Sequence, residues 1–181
     1  KQLSSAPDDE NNAKLSPDGK LVAFIRSGKQ GGIYVMPLDG SSAPKRVTES
    51  NGNYLELGFG INSFSWSPDS KWLAFSRRDT VESEDVWVVP AAGGKSTNVT
   101  YTPGANVEPQ WSSDGKYIVF ASSRSGPLNI YSVLLTPEKA EPDPNAKTDG
   151  AKPGEVKIDF DDIENRAKPV TTGGGGAFEI T

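Results

Sequence analysis

The stretch Trp66-Ser-Pro-Asp-Ser-Lys-Trp-Leu-Ala-Phe75 joins a tight polar turn to a short apolar strand. Proline presets φ at the second position of a turn, and aspartate hydrogen-bonds the neighbouring backbone, so the first half predicts a turn. The same pattern occurs twice more, as Leu15-Ser-Pro-Asp-Gly-Lys-Leu-Val-Ala-Phe24 and as Trp111-Ser-Ser-Asp-Gly-Lys-Tyr-Ile-Val-Phe120. The chain therefore contains three copies of one structural unit.

The spacing of these copies indicates the architecture. The turn aspartates Asp18, Asp69 and Asp114 are 51 and then 45 residues apart, which is close to the period of four-stranded β-propeller blades. The strand after each turn is continuously apolar, which indicates burial on both faces. A propeller provides that environment because each blade packs between two others. We therefore predict an all-β fold of antiparallel four-stranded blades.

We expect a partial propeller with three blades and partial strands at both ends. The expected units are an outer strand of a preceding blade at 1–5, blade A at 11–48, blade B at 61–101, blade C at 107–171 and the start of a further blade at 172–181. Rings typically contain four to eight blades. The chain is therefore expected to be part of a larger propeller, or to close a ring with other copies of itself.

Blade C is expected to carry an insertion at 136–165. This insertion holds nine acidic residues against four lysines and so accounts for the net charge of −5. Residues 136–154 are polar and proline-rich, which is typical of a mobile loop. Val156-Lys-Ile-Asp-Phe160 alternates between apolar and polar residues and predicts a strand. Gly173-Gly-Gly-Gly176 predicts a flexible turn.

Two further expectations concern the repeat itself. Ser70 stands where the other copies have Gly19 and Gly115, so a serine is expected to adopt a positive φ there. Aromatic residues recur at equivalent positions, and we interpret them as packing between blades rather than as a stacking surface for a ligand. These residues are Trp66, Trp72, Phe75, Trp87, Trp111, Phe120 and Tyr131.

The composition excludes several kinds of chemistry. The 181 residues include no cysteine and no histidine, which removes disulfides, thiolate zinc sites and any Ser-His-Asp triad. We expect no catalytic residue, no metal and no cofactor in this chain. The sequence has no basic stripe to bind nucleic acid, and no apolar run close to the roughly 20 residues that membrane insertion requires.

Two local patterns could suggest chemistry. Ser42-Ala-Pro-Lys45 has the spacing of a serine–lysine pair but falls in a predicted hairpin loop, so we interpret it as an ordinary turn. Four carboxylates follow the predicted strand in blade C, namely Asp159, Asp161, Asp162 and Glu164. They lack the glycine and the spacing of a calcium loop, which favours a solvated or arginine-paired strand.

Arginines follow the second strand of every copy: Arg26, Arg77, Arg78 and Arg124. The loops after these strands are expected at the same edge of the propeller as the connections between successive blades. Guanidinium groups there could hold a peptide carboxylate through bidentate hydrogen bonds. The alternative is that they pair with the nearby acidic residues Asp79, Glu82, Glu84 and Asp85. Both interpretations remain open at the level of sequence.

The Trp66–Phe75 pattern resembles the propeller repeat of TolB proteins, tricorn-type peptidases and prolyl oligopeptidase relatives. The run Val156-Lys-Ile-Asp-Phe-Asp-Asp-Ile-Glu-Asn-Arg166 is similar to a segment of bacterial tricorn-like serine peptidases. The resemblance covers about residues 1–171, and Thr172-Gly-Gly-Gly-Gly-Ala177 departs from it. The PDZ-like module and peptidase domain of that family have no counterpart here, so its catalytic residues map to no position.

The resemblance implies a non-catalytic propeller segment of a tricorn-like serine peptidase that binds or gates peptides or proteins. Its partners would be the remaining blades or the peptidase domain of the parent protein. The alternatives are a free-standing TolB-like protein-interaction module and the propeller of a prolyl oligopeptidase-type hydrolase. The resemblance implies a periplasmic or secreted bacterial protein. A cytoplasmic location is also compatible with the absence of cysteine.

Overall fold

The computed structural model describes residues 2–28, 30–48, 60–80, 82–137 and 155–171. These residues form twelve strands, and they confirm the prediction of an all-β fold with antiparallel blades. Blade A contains β1 (Glu10–Leu15), β2 (Leu21–Arg26), β3 (Gly32–Pro37) and β4 (Lys45–Arg46). Blade B contains β5 (Gly60–Trp66), β6 (Trp72–Arg78), β7 (Ser83–Pro90) and β8 (Thr97–Asn98). Blade C contains β9 (Gly104–Trp111), β10 (Tyr117–Ser122), β11 (Asn129–Leu134) and β12 (Ala167–Pro169).

Within each blade, successive strands pair in antiparallel order. The pairing of the first strand of every blade with the second shifts register at a bulge, which increases local twist. A short parallel pairing was not anticipated. Ser83 and Glu84 of β7 pair with Gly104 and Ala105 of β9, so the backbones of blades B and C are joined at one edge.

Each repeated turn is closed by its own side chains. The hydroxyls of Ser16, Ser67 and Ser112 donate to the aspartate two residues later at 2.6 Å. Two hydrogen bonds lower the pKa of Asp18 and of Asp114 below the usual range. The larger effect comes from the serine hydroxyl and the next from the backbone N–H of the lysine after the turn. Ser70 has φ of 62°, close to the 71° of Gly19 and Gly115, which confirms the expected positive φ.

The blades pack face to face, as the apolar strands predicted. One buried cluster joins blade A to blade B and contains Ala23, Ile25, Ile33, Val35 and Val47 with Phe64, Trp66, Leu73, Phe75, Val89 and Ala91. A second cluster joins blade B to blade C and contains Ala74, Val86, Val88 and Val99 with Ile118, Phe120, Tyr131, Val133 and Leu135, together with Val156 and Ile163. The interpretation of the recurring aromatics as interblade packing is confirmed.

Tryptophans also bond one blade to the one before it. The indole N–H of Trp66 donates to the carbonyl of Lys14 at 3.0 Å, and that of Trp111 donates to the carbonyl of Ser65 at 3.3 Å. Lys14 and Ser65 precede equivalent positions at the ends of β1 and β5. The same contact thus recurs at both junctions, because each first strand ends beside the first strand of the preceding blade.

The prediction that both faces of the strand after the turn are buried was wrong for the third copy, β10. β2 and β6 are buried along their interiors, whereas β10 alternates, with Val119 and Ala121 only half-buried. The outer face of β10 points away from blade B. Within the described residues no further sheet packs on that face, so its apolar residues remain partly accessible to solvent.

The predicted strand at Val156–Phe160 was also wrong. These residues form no strand, and a 3₁₀ helix follows at Ile163–Arg166. The alternation is nevertheless meaningful, because Val156 is buried and Phe160 packs against Trp72 with ring centroids 6.2 Å apart. The amide of Val156 donates to the Asp69 carboxylate at 3.0 Å and that of Asp159 to the Leu135 carbonyl at 2.8 Å. The segment thus lies across the groove between two blades and has no strand beside it.

Several expectations about the ends and the insertion are untested. Residues 2–9 form no strand, and an outer strand of a preceding blade would have to pair with that blade, so the expectation for 1–5 stays a prediction. Most of the expected mobile loop, at 138–154, lies outside the described residues. So do the glycine turn at 173–176 and the expected start of a further blade.

Alanine substitutions at Gly19 and Gly115 distinguish the cost of backbone strain from the cost of steric overlap. Gly19 and Gly115 share φ of 71°, but a Cβ at Gly19 meets nothing within 4 Å, whereas one at Gly115 comes within 2.8 Å of Val156 Cγ2. We expect Gly19→Ala to lower the free energy of unfolding by about 1 kcal/mol, and Gly115→Ala by about 2 kcal/mol more through overpacking. Urea unfolding followed by tryptophan fluorescence measures both. Equal losses would show that residues 155–160 do not pack on Gly115.

Candidate functional site: the arginine edge

The candidate site lies where the second strand of each blade ends and the third begins, here called the arginine edge. The amide of Gly104 donates to the Glu82 carbonyl at 3.1 Å, and that of Ser123 donates to the Ala105 carbonyl at 2.9 Å. The entry to blade C therefore lies beside these loops, as expected. One detail differs: Arg26, Arg77 and Arg78 are the last residues of β2 and β6, and only Arg124 lies in a loop.

An arginine stacks on an aromatic ring in every blade. The guanidinium carbon of Arg26 lies 4.0 Å from the Tyr34 ring centroid, and that of Arg77 lies 3.6 Å from the Trp87 ring. That of Arg124 lies 4.7 Å from the Tyr131 ring. Cation–π contacts of this kind are favourable, more so when partly desolvated. Each arginine is thus held against the third strand of its own blade.

The rings that carry the arginines are themselves positioned by the sheet. The register places Phe24 opposite Tyr34, Phe75 opposite Trp87, and Phe120 opposite Tyr131. Phe24 and Tyr34 stack at 5.9 Å between ring centroids, and Phe120 and Tyr131 stack at 6.2 Å. Sequence reasoning treated these aromatics and the arginines separately, because their contact depends on a cross-strand register that the sequence does not give.

In blade A the arginine has a carboxylate partner. Arg26 binds Glu10 through Nε at 3.0 Å and Nη2 at 2.6 Å, and both side chains are mostly buried. Burial opposes the charged form of Arg26, but the bonds to Glu10 raise its pKa above the usual value. Both bonds end on Glu10 Oε1, and the burial of the pair leaves little of the guanidinium for a ligand.

Both arginines of blade B are also paired. Arg77 contacts Asp79 at 2.8 Å, and only 8% of its side chain is exposed. Its Nη1 atom is buried and donates to no described residue. Arg78 lies 3.3 Å from the buried Glu84, although 42% of its own side chain is exposed. Three of the four arginines, Arg26, Arg77 and Arg78, are therefore paired with carboxylates of their own blades.

Arg124 differs because its hydrogen-bond partners are neutral. Nε donates to the Ser122 hydroxyl at 3.0 Å, and Nη2 donates to the Asn106 amide oxygen at 3.2 Å. No carboxylate of the described residues lies within salt-bridge distance of its guanidinium. Burial lowers the pKa of Arg124, and electrostatic interactions with Tyr131 and Asp85 act in the opposite direction. The side chain stays a cation at neutral pH but lacks a direct counter-charge.

A polar network behind Arg124 joins blades B and C. The Asp85 carboxylate accepts from Thr100 Oγ1 at 2.6 Å and from Asn98 Nδ2 at 3.0 Å. Asn106 donates to Asp85 at 3.3 Å, and its own amide oxygen accepts from the Ser122 hydroxyl at 2.8 Å. A chain of bonds therefore runs from Asp85 through Asn106 to Arg124. Of these polar residues only Asp85 was named from the sequence, as a possible ion-pair partner of the arginines.

The other sequence candidates lie elsewhere and in other contacts. Lys45 Nζ donates to the Ala92 carbonyl at 2.7 Å, and Ser42 lies exposed in the β3–β4 hairpin. Asp159 lies 3.7 Å from Arg166, which also donates to the carbonyls of Asp159 and Leu134 at 2.8 and 3.2 Å. The described residues contain no group of acidic side chains that could hold a metal ion.

Comparisons with known proteins find several partial relatives. No family model matches the chain. An uncharacterised protein of Agrobacterium fabrum is 32% identical over 135 residues, which cover 72% of this chain and 42% of that protein. The Tol-Pal system protein TolB of Bordetella pertussis is 36% identical over 123 residues, or 66% of this chain and 26% of TolB. The crystal structure of the tricorn protease matches 93% of this chain and 18% of that chain, with a TM-score of 0.63 and 16% identity.

The extent of these matches matters for their interpretation. The chain spans less than half the length of the curated relatives described here. At 16% identity, the match to the tricorn protease concerns the fold alone. Among the described residues, no helix is long and apolar enough to cross a membrane.

The polar network should contribute measurably to the B–C junction. Asp85→Ala leaves Thr100, Asn98 and Asn106 with lost hydrogen bonds, so we expect the free energy of unfolding to fall by about 3 kcal/mol. Asp9→Ala removes an exposed carboxylate of the same charge and should change it by less than about 0.5 kcal/mol. Urea unfolding midpoints with unchanged m-values measure the difference. Similar values for the two variants would mean that the network does not stabilise the junction.

Proposed function

We propose that this β-propeller segment, which is similar in sequence to TolB and in fold to the tricorn protease, is the non-catalytic part of a larger tricorn-like serine peptidase. In this proposal the segment binds peptides or proteins and gates their passage to or from a hydrolytic domain. The tricorn protease supports the comparison through its fold. In this proposal any hydrolysis belongs to residues outside this chain, because a sequence without histidine or cysteine offers neither a Ser-His-Asp triad nor a cysteine nucleophile.

The observation that carries the proposal is the state of Arg124. A partly buried guanidinium without a carboxylate partner can accept an anionic ligand group without breaking an existing ion pair. Tyr131 supports one face of the guanidinium, and Asn106 and Ser122 fix its edge. Such a held arginine suits the C-terminal carboxylate of a peptide, because its remaining N–H groups form a fixed fork.

The other three arginines have a supporting role in this proposal. Arg26 and Arg77 are committed to Glu10 and Asp79, so they are expected to stiffen the edge rather than to bind. Arg78 keeps 42% of its side chain exposed and could add long-range attraction for an anionic peptide. The site proposed here is therefore Arg124 first, with Arg78 as an auxiliary charge.

Similarity to TolB favours a second candidate function. The identity of 36% to the Tol-Pal system protein TolB is higher than that to the tricorn protease, and it supports a free-standing module that docks a folded protein. The two candidates differ in what they require of the ligand. A peptide gate at Arg124 should depend on a free carboxylate, whereas docking of a folded surface should not.

The wider context is also proposed. The partners would be further blades or a peptidase domain of the parent protein, or other copies of this chain that complete the ring. The likeness to TolB supports a periplasmic or secreted location. Cell fractionation of the source organism with an antibody to this chain would test it, and recovery only from the cytosol would contradict it.

The test of the peptide function uses Arg124→Gln. Fluorescence anisotropy would measure binding of the labelled peptide Ala-Ala-Ala-Leu with a free C-terminus and with a C-terminal amide. We expect the unmodified chain to prefer the free carboxylate by at least about tenfold, and Arg124→Gln to abolish that preference, because a charge-assisted bond contributes about 1.5–3 kcal/mol. Lys116→Gln removes an exposed cation at the other end of β10. This variant should keep the preference for the free carboxylate.

Two results would contradict the peptide function. One is equal affinity of the unmodified chain for the acid and the amide. The other is a carboxylate preference that survives Arg124→Gln. Either result would leave the docking of a folded protein as the better explanation of the TolB similarity.

A further inference from the structure

The opposite edge of the blades carries an apolar groove that the arginine edge does not involve. It lies between blades A and B, has a volume of about 600 Å³, and is lined mainly by apolar residues. These include Leu21, Pro37, Ala43, Trp72, Pro90 and Ala91, with Lys45 and Lys71 at its margin. Leu21 is the first residue of β2 and Arg26 the last, so the groove and the arginine edge lie at opposite ends of the strand.

The corresponding groove between blades B and C is filled by the chain itself. Phe160 packs on Trp72 of blade B with ring centroids 6.2 Å apart. The amide of Asp159 donates to the carbonyl of Leu135 in blade C at 2.8 Å. Residues 158–160 therefore bridge the two blades with one aromatic side chain and one backbone hydrogen bond.

Hydrogen bonds establish that the two grooves are equivalent. The carbonyls of Leu21 and Trp72 each accept from the amide of the turn serine, Ser16 or Ser67, at 2.9 Å. The amides of Ala91 and Leu135 each donate to the carbonyl of the lysine after the turn, at 2.8 and 2.9 Å. Leu21 and Ala91 thus take the places in the first groove that Trp72 and Leu135 have in the second.

One difference limits what the first groove can accept. Between blades B and C, Gly115 leaves room for Val156, because a Cβ at position 115 would lie only 2.8 Å from Val156 Cγ2. Between blades A and B, Ser70 stands at that position, and its hydroxyl accepts from the amide of Asp18 at 3.1 Å. The first groove is therefore closed at this end, and only the part that matches residues 158–160 is available.

The charges at the margin indicate the polarity of an occupant. Lys45 Nζ donates to a backbone carbonyl, that of Ala92. Lys71 keeps 63% of its side chain exposed, and its ion pair with Glu155 is long, at 3.5 Å. Two ammonium groups beside an apolar groove favour an acidic residue next to the apolar anchor.

We propose that the groove between blades A and B binds an extended peptide of a partner protein with the pattern apolar–acidic–aromatic, as in Ile158-Asp-Phe160. Its aromatic side chain would pack on Leu21, and the amide of its acidic residue would donate to the carbonyl of Ala91. The acidic side chain would face Lys45 and Lys71. This site is separate from the carboxylate site proposed at Arg124.

The test uses the capped peptide acetyl-Lys-Ile-Asp-Phe-Asp-amide, which matches residues 157–161 but has no free carboxyl terminus. Its binding to the 181-residue chain would be measured by fluorescence anisotropy of a labelled form. Ala43→Trp places a large side chain from an exposed loop into the groove, and we expect it to weaken binding at least tenfold. Lys71→Glu should weaken binding several-fold, and exchange of the peptide aspartate for lysine should restore it.

Matched controls distinguish this site from others. Lys116→Glu makes the same charge change as Lys71→Glu at the equivalent turn position of blade C and should leave binding unchanged. Arg124→Gln should also leave it unchanged, so failure here and failure of the carboxylate site are separate outcomes. In the unmodified chain, the NMR amide shifts of Ala91 and Ala92 should move on titration.

The proposal is overturned by affinity that Ala43→Trp does not reduce. It is also overturned by amide shifts that move only around Leu135 and Phe160, because the peptide would then displace the chain's own segment. Absence of any binding at millimolar peptide would overturn it as well.

Discussion

Each blade of this protein is apolar on both faces, and this constraint determines how the blades are arranged. A sheet with two apolar faces is stable in water only when another layer covers each face. Blade B meets the requirement, because Leu73 and Phe75 are buried against blade A and Ala74 and Val88 against blade C. The indole bonds of Trp66 and Trp111 to the preceding first strands then fix how neighbouring blades align.

This arrangement leaves function to the two ends of the strands. At one end, side chains of the second strands reach aromatic rings of the third strands, and Arg124 remains without a carboxylate partner among the described residues. At the other end, the Ser-x-Asp turns and hairpins form grooves between blades, of which one holds residues 155–160. The faces of the sheets are occupied by packing, so recognition depends on short polar segments held by a rigid scaffold.

Sequence patterns predicted the antiparallel all-β propeller fold, because turn chemistry and apolar runs are local. The positive φ of Ser70 and the burial of Trp66 and Phe75 followed from the position of each residue within the repeat. Val156–Phe160 was predicted as a strand because alternation reports which side chains are buried and says nothing about a neighbouring strand. The stacking of Arg77 on Trp87 depends on strand register, and the Asp85 network depends on the junction of two blades. Neither is visible in a single stretch of sequence.

Hydrogen exchange measured by mass spectrometry tests the face-to-face packing of blades most directly. If blade B is enclosed by its neighbours, amides of β6 should exchange more slowly than those of β10, whose outer half is partly accessible to solvent. Trp66→Phe, which removes one indole bond, should accelerate exchange in β1 and β5 together. Exchange in β6 as fast as in β10, with no coupling between β1 and β5, would contradict the stacked arrangement.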